Sequence, residues 1–224
     1  AEKPILEKID RLATERRREQ AKLLTDYGRG DPAKVERLGK KILALIESER
    51  KYIVKDELWT TYQKNGADDL NASTGYDTTQ YYVTLPANRL EVWALLGSDR
   101  MQNAVFREFY SERDVVREER RLGIETRPAG LLWEKFSSVA FEATPYRWPV
   151  VGYASDLETM QREEIASHFR RYYAPDNAVA VIVGDVQEAE VLRLMKKYFE
   201  PISPQKAPPP VFTRDPIQQG EKRV

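Results

Sequence analysis

A chain of 224 residues allows one large domain or two small ones and can bury a sizeable core. Lys plus Arg and Asp plus Glu number 36 each, so no net field draws the protein toward nucleic acid or an acidic membrane, and a general polyanion binder is not expected. The absence of cysteine excludes disulfides, thiolate metal sites and a cysteine nucleophile, and leaves the compartment open.

From about Pro4 to Tyr27, Ile5, Leu6, Ile9, Leu12, Leu23 and Leu24 recur among many charges and predict an amphipathic helix. The stretch GRGDP, 28–32, breaks it: the glycines admit positive φ, and Asp31-Pro32 is a helix start. A second helix is expected from about Pro32 to Lys64, with Leu38, Ile42, Leu45, Ile46 and Ile53 on its apolar seam. The two read as an antiparallel hairpin over 1–64, serving as a packing arm or, alternatively, as a docking surface.

After NGADDLNASTG the texture changes. TTQYYVTLP, 78–86, is rich in β-branched and aromatic residues and predicts a strand ended by Pro86. Residues 87–101, about 104–122 and 129–141 have helical spacing, and 144–160 reads as a loop broken by Pro and Gly. A helix over 162–173 carries His168, NAVAVIVGDV at 177–186 is the clearest buried strand, and 188–199 is a further helix. The prolines of 201–210 read as a linker. Helices and strands mix without a regular βαβ repeat, so the expected fold class is α+β, with a mostly antiparallel sheet covered by helices.

Two features bear on chemistry. His168 is the only histidine, so no ordinary zinc site with two or more His or Cys ligands can be assembled from this chain alone. A Ser-His-Asp triad would have to use it, whereas its spacing predicts a partly exposed helical residue. In SERDVVREERR, 111–121, Glu112, Val115, Val116 and Glu119 fall at i, i+3, i+4 and i+7 on one helical face. Burying an unpaired carboxylate costs several kcal/mol. The pair should therefore be solvated, salt-bridged, hydrogen-bonded or bound to a metal, and the surrounding arginines make a salt-bridged surface stripe the default.

Three stretches together resemble the pitrilysin/insulinase-type zinc metallopeptidases, the inverzincins. LNASTGYDTTQYYVTL, 70–85, resembles the family's Asn-Ala…Thr…Thr…Tyr-Tyr strand, and ERDVVREE, 112–119, the helix carrying its third protein zinc ligand. Residues 144–199 follow the family from a Pro-Tyr loop through Tyr-x-Pro-x-Asn to a valine-rich strand ending in Gly-Asp. The resemblance runs from about Gly66 to Val224. It implies that Glu119 is a zinc ligand, that Glu112 supports it, and that Asn71 and Ala72 lie on an edge strand where a peptide adds as a further strand.

The family's H-x-x-E-H motif, two zinc histidines and a general-base Glu, is absent from the chain. The resemblance thus implies a fragment of a zinc-dependent metalloendopeptidase that is inactive alone, with zinc a cofactor of the complete protein that this chain does not retain. The alternative is a non-catalytic substrate-binding or scaffolding homologue paired with an active subunit. A hairpin insertion (1–64), a peptidase-like α+β domain (65–200) and a linker leading into a second homologous half (201–224) are expected, within a metallohydrolase-like sandwich. The implied partners are a peptide or unfolded-protein substrate and that second half, in the same chain or another. With no apolar run near the roughly 20 residues of a bilayer span, a soluble protein is expected, and a bacterial periplasmic or secreted setting is compatible with the resemblance.

Overall fold

The computed structural model describes residues 2–25, 28–205 and 208–223. The expected end of the first helix at Tyr27, and Lys206 and Ala207 within the proline cluster, lie outside them. Helices α1 (Lys3–Thr25) and α2 (Pro32–Glu49) form the antiparallel hairpin. Ile9 and Ala13 of α1 and Ile42 of α2 are buried in one cluster with Tyr110, so the hairpin is packed onto the body of the protein. Polar contacts reinforce this seam: Asp10 accepts hydrogen bonds from Arg162 at 3.1 Å and from the Tyr110 hydroxyl at 3.1 Å, and Arg17 pairs with Glu164 at 2.8 Å.

The turn between the two helices is built as its sequence suggests. Gly28 has φ +76°, Pro32 opens α2, and the Asp31 side chain accepts from the Lys34 N–H at 3.1 Å. That cap satisfies one of the N–H groups a helix start leaves without a partner. Asp31→Ala is expected to destabilise the protein by about 0.5–2 kcal/mol, measurable as a lower denaturation midpoint.

The second helix is shorter than expected. It ends at Glu49, passes through a 3-10 turn at Arg50–Tyr52 and an extended Ile53, and resumes as α3 (Glu57–Lys64) only after Asp56, at φ +54°. The seam of apolar residues runs through this break without marking it.

Strands β1 (Asp68–Thr74) and β2 (Thr79–Thr84) form an antiparallel pair with Asn71 opposite Tyr82 and Ala72 opposite Tyr81. A register shift lies between Asp68 and Asn71, where Asp69 takes φ +54°. Helices α4 (Leu90–Asn103), α5 (Phe109–Arg120), α6 (Pro128–Ala140), α7 (Ala154–Thr159), α8 (Arg162–Tyr172) and α9 (Glu188–Tyr198) follow. Three expectations are adjusted here. Helix α5 starts at Phe109 rather than near Ala104, a π-helical turn at Arg121–Glu125 follows it, and α7 interrupts the expected loop.

Across the molecule, the Tyr81 hydroxyl meets that of Tyr173 at 2.9 Å, tying β2 to the end of α8. Trp93 of α4 lies 6.0 Å from Phe199, with Lys197 and Tyr198 both bonded to Glu91. The last residues run back along the protein, and Asp215 accepts from the Ala143 N–H at 2.7 Å and the Thr144 hydroxyl at 2.7 Å.

The larger correction concerns the sheet. The expected mostly antiparallel sheet under helices is, among the described residues, one two-stranded antiparallel pair in a mostly helical chain. The segment expected to be the most buried strand has no strand partner there, and Val179, Val181 and Val183 are 90%, 78% and 91% exposed. A valine run specifies extended backbone, whereas its burial depends on a neighbour that these residues do not supply. No helix among the described residues is long and apolar enough to cross a membrane.

Candidate functional site

Helix α5 places Glu112, Val115, Val116 and Glu119 as the spacing requires, but the salt-bridged stripe does not form. Arg113 donates to the Met160 carbonyl at 3.3 Å, Arg117 reaches Asp114 at 3.5 Å, and Arg121 clamps Glu118 at 2.6 and 2.8 Å. Arg120 points inward and holds Glu134 at 2.8 and 3.2 Å, Glu125 at 3.1 Å and the Gly152 carbonyl at 2.8 Å. All four flanking guanidinium groups are therefore engaged elsewhere. Neither the Glu112 nor the Glu119 side chain forms a hydrogen bond or ion pair among the described residues, and both residues are exposed.

Glu119 lines an open groove on α5 beside Val115, Glu118 and Leu122, the two apolar residues being more than half and half exposed. An open carboxylate beside uncovered aliphatic side chains is a free donor on a surface suited to being covered. The groove's end is held by the π-helical turn, against which α6 packs so closely that a Cβ at Gly130 would lie 2.6 Å from the Gly123 carbonyl oxygen. Arg120 locks the same junction from inside, its Glu134 hydrogen bond raising the guanidinium pKa above its ordinary value. Sequence reasoning missed Arg120 and Glu134: fourteen residues separate them, and a buried arginine has no local pattern distinguishing it from a surface one.

Asn71 and Ala72 are exposed on β1, whose outer edge has no strand partner among the described residues. The Asn71 side-chain oxygen accepts from the Ala72 N–H at 2.8 Å, fixing its orientation. His168 sits exposed on α8 with its ring 4.5 Å from that of Tyr172, and it has no hydrogen bond to Ser or Asp among the described residues. Desolvation first, and then Arg171, lowers its pKa.

The residues present do not complete a zinc site. No group of three or more His, Cys, Asp or Glu side chains able to hold a metal occurs among the described residues. Glu119 alone is one donor, where a protein zinc site draws on three or four.

Comparison with known proteins gives this arrangement its context. Residues 159–224 match the family model described as Peptidase M16 inactive domain. Zinc protease PqqE of Helicobacter pylori is 33% identical over 156 residues, covering 68% of this chain and 35% of that protein. The probable mitochondrial-processing peptidase subunit beta of Arabidopsis thaliana is 26% identical over 136 residues, covering 60% of this chain and 25% of that protein. A crystal structure of a protease from Helicobacter pylori superposes with a TM-score of 0.69 at 33% identity, covering 73% of this chain and 40% of that one. The chain belongs to the pitrilysin/insulinase-type peptidase family. It spans about a third or less of the length of these curated relatives.

Proposed function

We propose that this chain is a fragment of a zinc-dependent metalloendopeptidase that hydrolyses peptides or small proteins, and that it is inactive alone. The observation that carries this reading is the unpaired Glu119 carboxylate, left open on α5 while every neighbouring arginine is bound to another group. A surface stripe selected only for helix stability would be expected to pair it. In the complete protein Glu119 would be one zinc ligand, with two histidines and a general-base glutamate from an H-x-x-E-H segment outside this chain. Glu112, one heptad earlier on the same face, would support that ligand.

A peptide would lie along the outer edge of β1 at Asn71 and Ala72, bound through main-chain hydrogen bonds that tolerate many sequences. The division into hairpin (1–64), peptidase-like body (65–200) and lead-in to a second homologous half (201–224) belongs to the same reading. So does a sandwich in which the exposed valines of 179–183 join a larger sheet. A second half, in the same polypeptide or a partner subunit, would enclose the substrate, and a bacterial periplasmic or secreted setting fits such an enzyme.

A second reading, a non-catalytic binding homologue that pairs with an active subunit, is favoured by the inactive-domain description of the model matched at 159–224. Reading the coding frame upstream of Ala1 separates the two. An in-frame H-x-x-E-H supports the peptidase, and a start codon or a degenerate motif supports the binding homologue. Residues 1–224 alone are expected to show no zinc-dependent cleavage of an unfolded-protein substrate. Cleavage by this chain that disappears in Glu119→Ala would overturn that expectation.

A further inference from the structure

The foot of the hairpin holds a carboxyl group that nothing in the proposed chemistry uses. Glu49, the last residue of α2, is only 1% exposed, and its Oε1 has no hydrogen-bond partner among the described residues. The charged groups facing it come from each element packed there: Glu2 and Asp10 from the α1 side, Arg107 from the segment before α5, and Arg162 from α8. These four already match one another. Arg107 lies 2.9 Å from Glu2, and Arg162 is bonded to Asp10 at 3.1 Å, with the Tyr110 hydroxyl also donating to Asp10. Two cations and two anions balance without Glu49. An ionised Glu49 is thus a surplus negative charge, buried at the joint between hairpin and body.

We propose that Glu49 is a proton-dependent latch: protonated, it seats the hairpin against α5 and α8, and ionised, it loosens that seating. The cluster shared by Ile9, Ala13, Ile42 and Tyr110 makes hairpin and body one packed unit, so loosening at Glu49 exposes the α5 side of that cluster. Desolvation, and then repulsion by Glu2, pushes the Glu49 pKa up to about 7 from an ordinary 4.5. The sign follows from linkage: the docked hairpin holds the proton more tightly than the undocked one. Docking is therefore strongest below about pH 4.5, weakens as pH rises toward 7, and has lost the whole contribution above it.

The test is amide hydrogen exchange in the complete protein at pH 5 and pH 8, corrected for intrinsic exchange rates. Protection of α1 and α2 is expected to fall roughly tenfold to a hundredfold at the higher pH while α9 holds, and Glu49→Gln is expected to abolish the difference. Equal hairpin protection at both pH values, a parallel fall in α9, or an undiminished pH effect in Glu49→Gln would each overturn the proposal. Should the glutamine variant not fold, Glu49→Leu makes the same comparison, and the wild-type profile alone still decides whether the hairpin responds.

Discussion

If Glu119 is the zinc ligand of the proposed peptidase, Glu119→Gln in the complete protein is expected to lower zinc-dependent peptide hydrolysis by more than about 100-fold. The scale comes from groups one step further out: replacing a residue that supports a metal ligand typically costs roughly 10- to 100-fold in metal affinity or activity. Loss of a ligand itself should exceed that. Glu112→Gln, on the same face of α5 but one heptad away, is expected to fall within the smaller range. The pair gives an internal control, because both side chains are exposed and make no ion pair among the described residues, so neither change should unsettle the helix. Measuring kcat/KM together with zinc content reads both effects. A Glu119→Gln enzyme with full zinc and full activity would remove this residue from the site.

The second large effect concerns stability. Arg120→Met is expected to destabilise the protein by about 3–5 kcal/mol, since removing one partner leaves a charge buried without compensation. Arg120 is 6% exposed and the Glu134 side chain 14%, so the stranded carboxylate would have little access to water. For a domain of this size the change corresponds to a fall in Tm of roughly 10 °C by calorimetry. Arg120→Lys should restore only part of it. A lysine cannot reproduce the two-pronged contact with Glu134 while also reaching Glu125 and Gly152. The double change Arg120→Met with Glu134→Gln should recover stability relative to Arg120→Met, because the unpaired charge is then gone.

What the sequence disclosed and what it withheld divide along physical lines. Local patterns were legible: the hairpin turn at Asp31-Pro32, the strand through Tyr81 and Tyr82, and the helices of 129–141, 162–173 and 188–199 all lie within a residue or two of their expected places. The break at Ile53–Asp56 was not, because a left-handed aspartate between a lysine and a glutamate carries no glycine or proline to announce it. The valine-rich segment, read as a buried strand, is neither paired as a strand nor buried among the described residues. The α5 face was legible as geometry, since spacing puts Glu112 and Glu119 together. That they would be left unpaired depended on where four arginines turned, which is decided by Met160, Asp114, Glu134 and Glu118 in three dimensions.

The exposed valines also govern how this chain behaves as a separate polypeptide. A stretch of Ala-Val-Ala-Val-Ile-Val with neither charge nor proline, exposed at its valines and with no paired strand on either side among the described residues, offers its backbone N–H and C=O groups to any similar segment. Concentrated samples of the isolated chain should therefore self-associate through this segment. A lysine at Val181 would act as a gatekeeper against such stacking.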